Sequence, residues 1–475
     1  MEFFEDPILM SLLGLALVVG VVALRPQRWA GVLLPLLAIL LFALPRAGLV
    51  VRQASLPLPL AHLACAALIA EWLVLRRPRP PEGTLRLGRY FLLYAAVAGF
   101  GLAVGLINQG RYLITFLELC FYLFSIGLFF YASDTFRQPQ HFRRFVLLLL
   151  VISALVSVYG IAQRYLGAKI LVPRITYNTG GSLVSRTYLE AAEPGQMRVL
   201  SSYGDPNVLA SQLLVFIGVA LALLLGRRVS GGWRWAAGAV LAANVVCLWF
   251  TRSRAGLVGL LLVPLVVLVW RSRWALLLLP VLGLAGVMAF PLLLEPVLRD
   301  KFQGLLTGED VRALFPRMAW QLLNVAPLGC GLGQTVVLQA QGSGWNFAIV
   351  PAGAVWAGFN SFWLNLFCRL GAPGLLAFAL LLAAPFGHVW RRARRVPDGM
   401  VQAALIGALA GFAGQWFVWL ANNTYMMPGG GLNFWFTMGM LVAGCRAYAP
   451  EGQAVVLPTA AWSAGVPAAA ATRGV

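Results

Sequence analysis

The stretch "LWFTRSRAGLVGLLL" (Leu248–Leu262) places Arg252 and Arg254 between two strongly apolar segments. Each segment belongs to an apolar run that is long enough to cross a bilayer as a helix, which takes about 20 residues. A charged side chain held at or near membrane depth is costly and usually has a task. The stretch therefore predicts two membrane-spanning helices joined by a tight turn, with two arginines as candidate functional residues.

The composition of the whole chain supports a membrane protein. Of its 475 residues, 60% are hydrophobic and 11% are charged, and the mean hydropathy is +0.81. Soluble domains are nearer half apolar and a quarter charged. In lipid the N–H and C=O groups of the backbone can all be hydrogen-bonded only in helices or closed β-barrels. The sequence lacks the alternation of polar and apolar residues that is typical of barrel strands. We expect an all-α polytopic membrane protein with about 12–13 transmembrane helices.

Apolar runs recur along most of the chain and predict thirteen spans. These are roughly 7–24, 29–45, 56–75, 90–107, 112–132, 145–165, 207–225, 235–251, 255–270, 275–294, 361–385, 400–421 and 432–448. The loops on one side are rich in arginine, which makes that side cytoplasmic, with the N-terminus outside and the C-terminus inside. The net charge of +20 does not indicate nucleic-acid binding, because the arginines lie mainly in these short loops.

Two segments on the external side, 166–206 and 295–360, are too long to be simple connections. We expect them to contain short amphipathic helices and to form a cap over an active site. Residues 1–449 are predicted to be a single transmembrane domain, and 450–475 a disordered cytoplasmic tail. Among six cysteines only Cys330 falls in a long external segment, so no disulfide framework is predicted.

Four motifs follow one another along the chain: "RVLSSYGDPNVLASQLL" (198–214), "TRSRAGLVGLLL" (251–262), "RMAWQLLNVAPLGCGLGQ" (317–334) and "NSFWLNLFCRLGAPGLL" (360–376). In this order they resemble the motifs of the superfamily of O-antigen ligases and Wzy-type polysaccharide polymerases. The segment "YGIAQRYLG", before the first long loop, is similar in style. The resemblance covers about residues 145–385, whereas the first five spans match only in being hydrophobic.

The resemblance implies a multi-pass glycosyltransferase of the bacterial cytoplasmic membrane, working at its outer face on undecaprenyl-diphosphate-linked oligosaccharides. It implies no metal, no other cofactor and no nucleotide sugar, with membrane lipid as a partner and a chain-length regulator protein as a further candidate partner. Polymerisation of a surface polysaccharide is the first hypothesis. The alternatives are a ligase that moves the glycan to lipid A-core or another acceptor, and a lipid-linked glycan transporter or flippase without chemistry.

Arg254 and Arg317 match the arginines of two motifs and are the first candidate catalytic residues. A fixed guanidinium stabilises the negative charge that grows on a diphosphate as the sugar C1–O bond breaks. Arg317 follows Pro316 on a segment with an apolar face, so it could instead be a solvated charge on an amphipathic helix. Arg252 is either an auxiliary substrate-binding residue or a snorkelling anchor.

Four further residues are candidates for substrate binding. Arg198 adds another cation on the same side of the membrane. Asp205 and Asn207 belong to the first motif, although a structural role explains both equally well. Asn207 could cap a helix that begins near Val208, and Asp205-Pro206 is a common helix start. Tyr425 lies in "NNTYMMPGGG" (422–431), an external turn suited to sugar contact and equally to a plain loop.

Asn360 stands where the ligases carry histidine, and it is the main departure from the family pattern. An amide can hydrogen-bond a sugar or a phosphate, but it cannot act as a base near neutral pH. This favours the polymerase over the ligase. The general base stays open among Asp205, Glu190, Glu193, Glu309 and Asp310, or the reaction needs no strong base.

Two features have competing explanations. The glycines of "PLGCGLGQ" (327–334) could cradle a phosphate with backbone N–H groups or could simply form turns. Glu118 and Arg369 lie within predicted spans, where an interhelical ion pair is the plain explanation. The sequence does not show that these two side chains meet.

Overall fold

The computed structural model describes residues 30–43, 48–51, 56–75, 82–108, 112–166, 198–272, 315–341, 344–351, 361–427 and 430–448. In these ranges the chain is dominated by helices. They are α1 (Ala30–Ala38, continued by a π-helical turn over Ile39–Ala43), α2 (Leu60–Leu75), α3 (Glu82–Ile107), α4 (Tyr112–Thr135), α5 (Pro139–Leu166), α6 (Pro206–Leu225), α7 (Gly231–Thr251), α8 (Arg254–Arg271), α9 (Phe315–Val325), α10 (Phe362–Ala393), α11 (Gly399–Ala421) and α12 (Gly431–Tyr448).

The predicted architecture of a polytopic helical membrane protein is confirmed. Eight described helices, α3–α8, α10 and α11, are long and apolar enough to cross a membrane. α12 is buried along nearly its whole length against α4, α5 and α10. The predicted spans 7–24 and 275–294 lie outside the described residues.

Two short antiparallel hairpins were not expected. β1 (Gly48–Val51) pairs with β2 (Leu56–Pro59), so the predicted span at 56–75 is wrong at its start and becomes helical only at Leu60. β3 (Gln334–Gln341) pairs with β4 (Gly344–Pro351) in a register that sets Gln334 opposite Pro351. The second hairpin lies in the long segment where only short helices were expected; the helix there, α9, is amphipathic as predicted.

α6 forms the centre of the bundle and packs against α7, α8 and α11. Nearly all of its side chains from Val208 to Leu223 are buried. Such a helix is apolar on every face because each face meets another helix. Its first turn is therefore held in place from several sides, and that turn carries the first motif.

The contact between α6 and α11 depends on glycines. A Cβ atom built on Gly218 would lie 2.2 Å from the carbonyl oxygen of Gly407, and one built on Gly411 would lie 2.4 Å from the Cα of Val215. Small residues let two helix backbones approach closely, which is how helices gain packing energy in lipid.

We predict that Gly218→Ala lowers the melting temperature of the detergent-purified protein. Glycine to alanine inside a helix normally stabilises by up to about 1 kcal/mol, but here the new methyl group meets backbone atoms that cannot turn aside. Gly99→Ala in α3 is the matched control, because no atom lies within 4 Å of its added Cβ. Equal melting temperatures for the two variants would contradict this packing.

Candidate functional site

The first motif forms a turn that leads directly into α6. Ser201–Tyr203 make one turn of 3-10 helix, and Gly204 follows with a left-handed backbone (φ 63°). Asp205 is the N-cap of α6, with its carboxylate accepting from the N–H groups of Asn207 (2.8 Å) and Val208 (3.0 Å), and Pro206 occupies the first helical position. The helix start predicted at Asp205-Pro206 is therefore confirmed, and the carboxylate of Asp205 has a structural task. The predicted cap at Asn207 is wrong, because Asn207 lies inside the first turn of α6.

The second motif forms the tight turn between α7 and α8 that the sequence predicts. Arg252 ends α7 in a left-handed conformation (φ 51°), and its N–H donates to the carbonyl of Trp249. Ser253 is the N-cap of α8 and accepts from the N–H of Gly256 at 3.3 Å. Arg254 is the first residue of α8, where the positive end of the helix dipole adds to its own charge.

Hydrogen bonds join these two motifs although they are about forty residues apart in the chain. Nε of Arg198 donates to the carbonyl of Thr251 at 2.9 Å, and its Nη2 donates to Oδ1 of Asn207 at 3.4 Å. The same Oδ1 accepts from Oγ of Ser253 at 2.9 Å. We call these four residues, Arg198, Asn207, Thr251 and Ser253, the Asn207 node.

The segment "YGIAQRYLG" meets the same end of the bundle. The side chain of Gln163, near the end of α5, accepts from the N–H of Ser201 (2.8 Å) and donates to its carbonyl (3.3 Å). The neighbouring Arg164 places its guanidinium 5.5 Å from the ring centre of Phe250. The sequence had marked "YGIAQRYLG" only as similar in style, and neither Gln163 nor Arg164 had been singled out.

These contacts bring four arginines to one end of α5–α8. We call Arg164, Arg198, Arg252 and Arg254 the arginine cluster; each side chain is partly buried. Partly buried guanidinium groups act in a lower dielectric than water and suit the oxygens of a phosphate. Four of the five candidate residues of the first two motifs thus lie in or beside the Asn207 node. They are Arg198, Asn207, Arg252 and Arg254. The fifth, Asp205, caps α6 beside the node, and Arg164 is an additional cation.

Arg317 lies on α9, which is not one of the helices α5–α8. α9 packs on α10 through Met318 and Leu322, which meet Leu364 and Phe367, and Arg317 is on the exposed side. Among the described residues no hydrogen bond or ion pair joins Arg317 to the Asn207 node. Trp320 is 66% exposed, which agrees with a side chain at a membrane interface.

Asn360 lies outside the described residues. The next residue, Ser361, is the N-cap of α10 and accepts from the N–H of Leu364 at 3.3 Å, while its carbonyl accepts from Nδ2 of Asn365 at 2.8 Å. Asn360 therefore precedes a well-capped helix start.

The predicted sugar contact of Tyr425 is contradicted by its burial. The side chain is 3% exposed, its hydroxyl accepts from Nε1 of Trp435 (2.8 Å) and pairs with Oγ of Ser125 (3.2 Å). Its ring packs 4.3 Å from the ring of Phe362 and 5.1 Å from that of Trp419. Tyr425 stabilises the core, and we remove it from the candidate site.

The glycine run does not form a phosphate cradle, because its N–H groups already donate within the protein. Those of Cys330, Gly331 and Leu332 bond to the carbonyls of Cys368, Arg369 and Gly101. The N–H of Gly333 donates to Glu118 at 2.7 Å.

The glycines serve close packing instead. Gly329, Gly331 and Gly333 all have positive φ, and a Cβ on any of them would clash with a neighbouring segment.

Glu118 of α4 and Arg369 of α10 form a buried ion pair with 2.6 Å between their charged atoms. Arg369 also donates to the carbonyl of Gln334 at 3.3 Å. The interhelical ion pair, one of the explanations that the sequence allows, is thus present. Through Gly333 and Gln334 it also binds the end of the glycine run to α4 and α10.

The comparisons with known proteins add no family. No protein-family model matches this chain, and no curated protein is similar enough to match.

We predict that Glu118→Gln destabilises the protein by about 3–5 kcal/mol, because removing one partner leaves the other charge buried without it. The melting temperature of the purified protein measures the effect. In a double-mutant cycle, Glu118→Leu/Arg369→Leu should lose less free energy of unfolding than the two single leucine variants lose together. Additive losses would show that the two charges do not stabilise each other.

Proposed function

We propose that this protein is a membrane glycosyltransferase that polymerises a surface polysaccharide of the O-antigen or exopolysaccharide type. It transfers an undecaprenyl-diphosphate-linked glycan onto another lipid-linked repeat unit at the outer face of the cytoplasmic membrane. The observation that carries the proposal is the Asn207 node, which joins the first two family-like motifs and brings the arginine cluster to one end of the bundle.

The chemistry of the reaction matches a cluster of cations. The acceptor hydroxyl oxygen bonds to C1 of the donor sugar as the bond from C1 to the diphosphate oxygen breaks, with inversion at C1. The hydroxyl proton passes to the leaving diphosphate or to solvent, since a good leaving group needs no strong base. Undecaprenyl diphosphate leaves with additional negative charge, which fixed guanidinium groups stabilise by several kcal/mol in a partly dry site.

Arg254 is assigned to this role because it begins α8, where charge and helix dipole act together. Arg198 and Arg252 would hold the remaining phosphate oxygens, with Arg164 as a further cation.

Arg317 stays in the proposal as a second clamp on the exposed side of α9. Its exposure and the apolar packing of the opposite face suit a helix that lies over the membrane surface, with its charge available to a lipid head group. Asp205 no longer stands among the possible bases, because its carboxylate caps α6.

The polymerase is preferred to a ligase because asparagine occupies position 360. Asn360 would hydrogen-bond the acceptor rather than remove its proton. A ligase that uses lipid A-core remains the alternative within the class. A transporter or flippase is less well supported, because the described Glu118–Arg369 charge pair inside the bundle is tied to a packed segment rather than lining a path.

The proposal predicts that Arg254→Ala abolishes chain growth. The purified protein, incubated with a short undecaprenyl-diphosphate-linked oligosaccharide, should give a ladder of lipid-linked multimers by mass spectrometry. Arg254→Ala should give none, and Arg254→Lys only a weak ladder, because lysine keeps the charge but not the bidentate fork. Arg89→Ala, an exposed arginine of α3, is the control and should match the wild type.

Two outcomes would overturn the proposal. A normal ladder from Arg254→Ala would remove the assigned role of this residue. Product that forms only after lipid A-core is added would make the protein a ligase.

A further inference from the structure

A cavity of about 510 Å³ opens between α6, α8 and α11, at the end of the bundle opposite to the arginine cluster. This is the end that the charge pattern predicts to be cytoplasmic. The cavity plays no part in the proposed reaction. What it binds is therefore a separate question, and the answer does not depend on the proposed function.

The rim of this cavity is strongly basic. Arg227, Arg228, Arg271 and Arg394 all line it. Among the described residues that line the cavity there is no aspartate or glutamate. The charge bias of cytoplasmic loops accounts for arginines at this end of the bundle. Four of them line one cavity, however, and guanidinium groups gathered around one cavity suit the oxygens of an anionic ligand.

The nearest acidic neighbour in sequence is Asp398, which precedes the lining residue Gly399. Its carboxylate accepts from Arg143 of α5 and from the N–H groups of Met400 and Val401. Burial alone would raise the pKa of Asp398, but these bonds outweigh it and hold the pKa below its ordinary value. The negative charge of Asp398 is thus already compensated by Arg143 and by the N–H groups at the start of α11.

Two aromatic rings fix part of the basic rim. Arg394 places its guanidinium 5.0 Å from the ring centre of Trp270, and Trp270 packs edge-to-face on Trp390 at 4.9 Å. Arg271 donates to the carbonyl of Leu225 at the end of α6. Two of the four arginines are therefore held in position by the protein before any ligand arrives, which lowers the entropic cost of binding.

The floor of the cavity is apolar. Ala222, Val267 and Ile406 line it and are each buried, at 5%, 3% and 2% exposure. A free phosphate ion would gain nothing from such a floor, whereas a lipid has a glycerol and acyl region to place on it. Tryptophans beside arginines at the ends of membrane helices are also typical of the head-group level.

We propose that this cavity binds the phosphate group of an anionic phospholipid, with the four arginines on the phosphate and the first part of the acyl chains against the apolar floor. Basic pockets between transmembrane helices on the cytoplasmic side suit such head groups. The ligand chemistry, a phosphodiester or phosphate group, is shared with soluble phosphates, so the test separates the two sources.

Native mass spectrometry of the detergent-purified protein with phosphatidylglycerol tests the assignment. The wild type should retain phosphatidylglycerol in preference to phosphatidylcholine. The double variant Arg228→Gln/Arg394→Gln should weaken this binding by roughly tenfold or more, since each lost contact is a charge-assisted hydrogen bond. Ala403→Phe, which fills the cavity without changing charge, should have the same effect.

Arg89→Gln/Arg395→Gln is the matched control, because it removes two exposed arginines that do not line the cavity. Melting temperatures of all variants show whether each one is folded. Equal retention by the cavity variants and the control would overturn the proposal, and so would equal retention of the two lipids. Displacement of phosphatidylglycerol by millimolar inorganic phosphate would also overturn it in favour of a soluble phosphate site.

Discussion

The Oδ1 atom of Asn207 is the point on which the candidate site depends. It accepts from both Arg198 and Ser253, so one oxygen links the chain before α6 to the start of α8. Hydrogen bonds to charged groups contribute about 1.5–3 kcal/mol each, and neutral ones about 0.5–1.5 kcal/mol. The bond from Arg198 to the carbonyl of Thr251 closes the node. The same bonds that hold the two helix ends together therefore fix where the arginines lie.

The centre of the bundle makes this possible, because α6 is enclosed by α7, α8 and α11 and cannot shift without disturbing all three. Gly218 and Gly411 set the spacing of that packing. A guanidinium that must meet a developing charge needs to be held to within about half an ångström. The packing of α6 along its length supplies this rigidity, and the N-caps at Asp205 and Ser253 fix the starts of α6 and α8.

A second region shows how irregular backbone is accommodated between the helices of the bundle. Buried non-helical chain is tolerated only where its polar groups are satisfied by protein or water. The N–H groups of Cys330, Gly331, Leu332 and Gly333 all find protein acceptors, one of them the carboxylate of Glu118. Arg369 balances that carboxylate, so the ion pair and the glycine run stabilise each other.

Much of the fold could be predicted from the sequence, because apolar runs and arginine-rich loops report directly on spans. The ends of α6, α7 and α8 agree with the predicted spans to within four residues. The sequence could not predict which helices pack together, since a span that is apolar on every face does not indicate which face contacts a neighbouring helix. The sequence therefore leaves the pairing of Glu118 with Arg369 open, and it does not distinguish sugar contact by Tyr425 from a plain loop.

The site shows the same division. The motifs indicated Arg198, Asn207, Arg252 and Arg254, which the node brings together, but Gln163 and Arg164 carried only a weak signal. The glycine run could not be distinguished from a phosphate cradle until its N–H acceptors were known. Both hairpins were missed because turns and short strands are hard to detect within hydrophobic sequence.

The most direct test of the account is the affinity of the purified protein for undecaprenyl diphosphate, measured by native mass spectrometry in Asn207→Leu. The wild type should bind saturably, and this variant should bind about tenfold or more weakly, because Arg198 and Ser253 lose their shared acceptor. Asn244→Leu is the control, since Asn244 is a buried amide of α7 that bonds to Ser157. Equal binding by the two variants, or no saturable binding by the wild type, would contradict the account.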